Sequence, residues 1–98
     1  MTTQKVYIAT TGDAIKIGKS VDPKTRVKDL SVGNPKEITL LHEIAVDGVD
    51  YTASEFEKAL HNACGEWSQN GEWFDIEAYH YVAGLVKGVG VELGKVDI

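Results

Sequence analysis

The sequence predicts an α+β fold, a small mixed or antiparallel central sheet flanked by helices in the order β-β-α-β-α-β-α. Three observations predict it. Two short alternating apolar runs meet at a Gly-Asp turn, three segments carry helical spacing, and a longer Ile/Leu/Val-rich run separates the first two helices. At 98 residues the chain has the length of one domain, expected to span 1–98.

Lys5 to Thr10 and Ala14 to Lys19 read as strands joined through Thr11-Gly12-Asp13, where glycine accepts the positive φ of a tight turn. With Gly12 and Asp13 as the loop, Thr10 faces Ile15, Ile8 faces Ile17 and Tyr7 faces Gly18. Val6, Ile8, Ile15 and Ile17 then line one buried face, and Lys5, Tyr7, Ala9, Lys16 and Gly18 line the other. A slip of one residue would mix isoleucines with lysines on both faces, which burial disfavours.

Asp22-Pro23 starts a helix, with an acceptor at the N-cap and proline at the first helical position. It should run to about Ser31 with Val27 and Leu30 inward, and Gly33-Asn34-Pro35 ends it. Glu37 to Val46 reads as a central strand and Asp47-Gly48 as the turn after it. A second helix over Thr52 to Cys64 has Phe56, Ala59, Leu60 and Ala63 as its core stripe. Gly71 to Ile76 reads as one short strand carrying Trp73 and Phe74, both expected in the core. A last helix, about Glu77 to Lys87, buries Val82, Leu85 and Val86.

Hydrophobic residues at 43% against 26% charged support a packed core and argue against disorder. Met1 to Lys5 is polar and no long apolar run follows, so neither a secretory signal nor a membrane span is expected. Cys64 is the only cysteine, so no internal disulfide forms, which suits a reducing, cytoplasmic setting. The net charge of −5 on its face argues against nucleic acid, but its distribution is uneven. Residues 1–36 carry seven basic side chains against three acids, a balance of +4, and the remainder carries three against twelve, a balance of −9. The first third is suited to phosphate and the rest to solubility.

Gly18-Lys19-Ser20 has the end of a phosphate-binding loop, but that motif needs a glycine five positions earlier, where Asp13 stands. Glu57 and His61, four apart on the second helix, project from one face, near enough to share a metal ion or a hydrogen bond. A carboxylate holding Mg²⁺ or Mn²⁺ is chemically sensible, because those ions keep several waters. Arg26, early in the first helix, matches phosphate geometry bidentately. Each of the three also has a plain structural reading, as strand end, solvated helix face or surface ion pair.

Together, Lys5-Val6-Tyr7, Lys16-Ile17-Gly18, Arg26, Glu57-Lys58-Ala59-Leu60-His61 and Gly71-Glu72-Trp73-Phe74 resemble the GIY-YIG nuclease superfamily, in its small phage-associated branch with a Lys-Ile-Gly second motif. The resemblance covers about residues 5 to 76. It implies that Tyr7 acts as general base or water-positioner, that Arg26 stabilises the scissile phosphate, and that Glu57 holds a single Mg²⁺ or Mn²⁺. Lys5, Gly18 and Lys19 would then contact substrate. A free tyrosine, with a pKa of about 10, is a poor base at neutral pH. Lys16 on the same hairpin face is the cation expected to favour its phenolate. Gly18 opposite Tyr7 should leave room for a water and a phosphate.

Departures from the family pattern are Lys5 for the first glycine, Lys16 for a second tyrosine, and Leu30 where some members place a histidine. His61 either substitutes for that histidine or orients Glu57. The implied activity is metal-dependent hydrolysis of phosphodiesters in DNA. The alternative is a module that kept the fold with weakened chemistry and binds nucleic acid or a protein partner. So small a protein has little surface for sequence readout, so specificity would come from DNA structure, a partner or homodimer formation.

Overall fold

A computed structural model describes residues 4–45, 52–87 and 91–92. Strand β1 (Lys5–Thr10) and strand β2 (Ala14–Ser20) form the expected hairpin, with Tyr7 opposite Gly18, Ile8 opposite Ile17 and Thr10 opposite Ile15. Gly12 takes φ +100°, and the Thr11 N–H closes the turn on the Ala14 carbonyl at 3.2 Å. The Thr10 hydroxyl braces it, donating to the same carbonyl at 2.7 Å and accepting from the Gly12 N–H at 2.9 Å.

Helix α1 (Pro23–Ser31) begins as its sequence requires, the Asp22 carboxylate accepting the Thr25 N–H. Strand β3 (Thr39–Ala45) returns antiparallel beside β1. The Asp47-Gly48 turn lies outside the described residues. Helix α2 (Ala53–Ala63) opens with a capping box, in which Thr52 and Glu55 satisfy each other's N–H groups. Its buried stripe differs from the expected one: Ala53, Leu60 and Cys64 are buried and Phe56 half-buried, whereas Ala59 and Ala63 face solvent. The helix is rotated so that Glu57 and His61 lie at the boundary of the core instead of outside it.

The segment expected as one strand over 71–76 is a hairpin. After a 3₁₀ turn (Gly65–Trp67) come strand β4 (Ser68–Asn70) and strand β5 (Trp73–Asp75), joined by Gly71-Glu72 with Gly71 at φ +60°. Asn70-Gly71 is the turn signal, since only glycine tolerates that φ without strain. Helix α3 (Ala78–Val86) buries Ala78, Tyr79, Val82 and Val86, while Leu85, expected inside, is 45% exposed. Strand β6 (Val91–Glu92) adds to β3. All pairings are antiparallel, in the order β4-β5-β2-β1-β3-β6.

Both faces of the sheet are covered. On one, Val6, Ile8, Ile15, Ile17 and Ile44 pack with Leu60 of α2, Val82 of α3 and Phe74. On the other, Tyr7 and Ala9 pack with Val27 of α1 and Ile38, flanked by Leu30, Leu40 and Trp73. Phe74 is therefore core as expected, and Trp73 belongs to the smaller cluster and is only half-buried. Among the described residues, no helix is long and apolar enough to cross a membrane.

Candidate functional site

Tyr7 sits in the middle of β1 and is 1% exposed. Its ring passes over Gly18: a Cβ added there would meet the Tyr7 Cζ and hydroxyl at 2.7 Å. The space over Gly18, expected to admit water and phosphate, is thus filled by the tyrosine itself. Gly18 instead allows the ring to cross β2 and carry its hydroxyl toward the β5 side.

Three charged side chains act on that hydroxyl. The Arg26 guanidinium, from the exposed side of α1, lies near enough to favour its ionised form. Burial, and then the negative charge of Glu72, push the phenol pKa above its ordinary value; Arg26 opposes them and Glu57 adds to them. The phenol therefore stays protonated at neutral pH. The expected helper cation is placed differently: the Lys16 ammonium is 2.9 Å from Glu72 Oε1 and lies over the Trp73 ring at 5.3 Å. The cation that acts on Tyr7 is Arg26.

The other half of the constellation reaches the site around an open stretch of sheet edge. Strand β5 meets β2 over Ala14 to Lys16, and that ladder ends with the Ile17 N–H donating to the Glu72 carbonyl at 3.0 Å. The next acceptor on that side, the Ile17 carbonyl, is met by His61 Nε2 at 2.8 Å. A carbonyl only accepts, so Nε2 bears the hydrogen and Nδ1 is the free ring nitrogen. Phe74 supports the imidazole edge-on, with centroids 5.1 Å apart. His61 thus ties α2 to β2.

One turn earlier on α2, Glu57 Oε2 is fully buried without a hydrogen-bond partner. Burial, and then Glu72, raise the Glu57 pKa above the usual carboxylate value, with His61, Lys19 and Lys16 opposing. A buried acceptor left unpaired costs on the order of 1–3 kcal/mol. Here it lies within the electrostatic reach of a second carboxylate, an arrangement that a cation would relieve. Among the described residues no group of three or more His, Cys, Asp or Glu is placed to hold a metal, so the closed cage of a structural zinc site is not found among them. The donor set of Glu57 with Glu72 fits Mg²⁺ or Mn²⁺, which bind through one or two carboxylates and keep their waters.

The remaining expected residues divide. Lys19 lies at the open edge and donates to Ser54 Oγ, within the electrostatic reach of Glu57. Lys5 points the other way, 3.7 Å from Glu43 on β3. Lys36 pairs with Asp13. Three lysines of the basic first third are therefore matched by carboxylates, two of them from the acidic remainder. The residue that the sequence did not single out is Glu72, which touches Lys16 and acts on both Tyr7 and Glu57. Its signal was the Asn70-Gly71 turn, which sets Glu72 at a hairpin corner against β2.

The family model of the T5orf172 domain matches residues 4–89. Comparison with the curated proteins and with the solved structures finds no match. The matched span takes in both hairpins, the three helices and every residue of the Tyr7, Arg26, Glu57 and Glu72 group, and the chain belongs to the T5orf172 domain family, which is phage-associated.

Proposed function

We propose that this protein is a divalent-metal-dependent endonuclease that hydrolyses phosphodiester bonds in DNA, and that its domain is a branch of the GIY-YIG superfamily. The observation that carries the reading is the orphaned Glu57 Oε2, buried one helical turn from the His61 tether and within electrostatic reach of the Tyr7–Arg26 pair. Family membership supports a nucleic-acid role.

Glu57, with Glu72 beside it, would hold Mg²⁺ or Mn²⁺, which when bound supplies Lewis-acid stabilisation of the charge on the phosphate and the leaving oxygen. Arg26 presents planar donors to the non-bridging oxygens of the scissile phosphate. Tyr7 works as a phenol: it keeps its proton beside Arg26 and directs its O–H at the attacking water or a phosphate oxygen. It is a positioning group and not a phenolate base. Lys16 fixes Glu72 and adds positive charge beside the phosphate. His61 holds the α2 turn that carries Glu57 at its distance from β2.

The test is nicking of supercoiled plasmid and branched DNA in Mg²⁺ or Mn²⁺ against EDTA, with Glu57→Gln and Tyr7→Phe alongside. Absence of metal-dependent nicking by the native sequence, or equal nicking by Glu57→Gln, sinks the reading. One observation favours a nucleic-acid-binding module with weakened chemistry: Lys16 is already occupied by Glu72, and the Tyr7 pKa is shifted away from ionisation. Salt-dependent DNA binding without nicking would select that reading.

A further inference from the structure

On the α1 side of the sheet, beyond Trp73, a groove of about 430 Å³ opens between the β1–β2 turn, the segment after α1 and the β4–β5 hairpin. Its volume lies within the range of small-molecule sites. Its lining is unlike the charged group around Tyr7. Thr11, Asn34, Gln69 and Asn70 supply a hydroxyl and three carboxamides, and Trp73 supplies a half-buried aromatic wall. At the rim Asp13 and Lys36 neutralise each other, and the Thr11 hydroxyl donates to Asp13.

The hydrogen-bonding capacity is partly spent and partly open. The Asn34 carbonyl oxygen accepts from the Lys36 N–H, which leaves its two amide hydrogens. Gln69 donates one hydrogen to Asp75 and keeps its carbonyl oxygen. The Asn70 carboxamide makes no hydrogen bond among the described residues. Donors and acceptors therefore both remain in a groove that holds an aromatic ring and whose two charged side chains pair. That chemistry suits a flat, neutral, multiply hydrogen-bonding ligand and not a phosphate.

Trp73 connects the groove to the proposed cleavage site. It pairs with Lys16 on β2, and Tyr7 pairs with Gly18, two residues further along the same strand. The two positions are about 7 Å apart along the strand, close enough for one strand to reach both. We propose that this groove receives a single unpaired nucleobase of the strand whose phosphate lies at Tyr7 and Arg26. The inference rests on the nucleic-acid reading above. It assigns the selectivity of this domain to unpaired DNA. The carboxamides bond the base edge and Trp73 contacts its face, while Lys16, over the same indole, faces the adjoining phosphate.

The experiment is fluorescence anisotropy in Ca²⁺ with three labelled duplexes: fully paired, with one unpaired nucleotide, and with an abasic residue at the unpaired position. The native sequence is expected to bind the unpaired base roughly tenfold more tightly than the abasic bulge, the scale of one base–aromatic contact. Asn34→Ala/Asn70→Ala, at two exposed positions, should weaken binding of the unpaired base severalfold, leaving the abasic bulge and the salt dependence unchanged. If the native sequence binds all three duplexes equally with a normal salt slope, or the double variant binds the unpaired base as tightly as the native sequence, the groove assignment is overturned and the nucleic-acid reading stands. If nothing binds even at low salt, both are overturned.

Discussion

The two faces of the sheet are built on opposite rules. On the α2–α3 face, Val6, Ile8, Ile15 and Ile17 meet Leu60, Val82 and Phe74 in a dry cluster. On the α1 face, the smaller cluster around Tyr7, Ala9, Val27 and Ile38 is bordered by Lys16, Arg26 and Glu72. The first face holds the fold and sets its own buried phenol, Tyr79, beside the His42 imidazole, whereas the second sets a buried phenol among charged side chains. Glu57 joins them, carried by the dry-face helix but acting on the polar face.

Substitutions can break that division. The largest expected effect is on the dry face: Ile8→Ala should lose about 2–5 kcal/mol in urea denaturation, a large share of the roughly 5–15 kcal/mol of a domain this size. Tyr7→Phe, on the neighbouring residue, should change stability by about 1 kcal/mol or less while impairing nicking. Equal losses of stability from the two would show that the faces are one core. Next comes Glu57→Gln, with nicking expected to fall by about 10²–10³-fold, the scale of removing one charge-stabilising group, and no loss in melting temperature. Gly18→Ala should destabilise by about 1–3 kcal/mol, because a Cβ there collides with the Tyr7 ring. Its nicking should fall further than its stability predicts.

The smallest effect is a slope. The Glu57 pKa is raised in the fold, so the folded protein holds that proton more tightly than the unfolded chain. The resulting stability is present below the ordinary carboxylate value and is lost as pH rises through the folded pKa. Glu57→Gln should flatten melting temperature against pH in that window. Mg²⁺ should raise the melting temperature of the native sequence above the window and leave that of Glu57→Gln unchanged.

Most of the fold was legible because its signals are local. The isoleucine alternation fixed the β1–β2 register, Asp22-Pro23 fixed the start of α1, and the structure has both. The rest depended on tertiary competition. Periodicity could not give the rotation of α2, because His61 is drawn to the Ile17 carbonyl and turns Ala59 outward. The placement of Lys16 escaped for a similar reason: a lysine beside a tyrosine in register pairs with whichever carboxylate the next hairpin delivers, and that hairpin hinged on Asn70-Gly71. The Tyr7, Arg26 and Glu57 grouping was visible only through family resemblance, since they are separated by 19 and 31 positions.

The brevity of β5 has one more consequence. Because it stops at Trp73, Gly18 to Ser20 pair with β1 on one side and with no strand on the other among the described residues. Such a rim invites a second copy to add a strand, the first step toward domain exchange or aggregation. This protein blunts it with a lysine at position 19 and a helix whose imidazole occupies the first free acceptor. The pieces that guard the rim against self-association are the same ones that border the proposed cleavage site, so the edge protection and the proposed chemistry share one lysine.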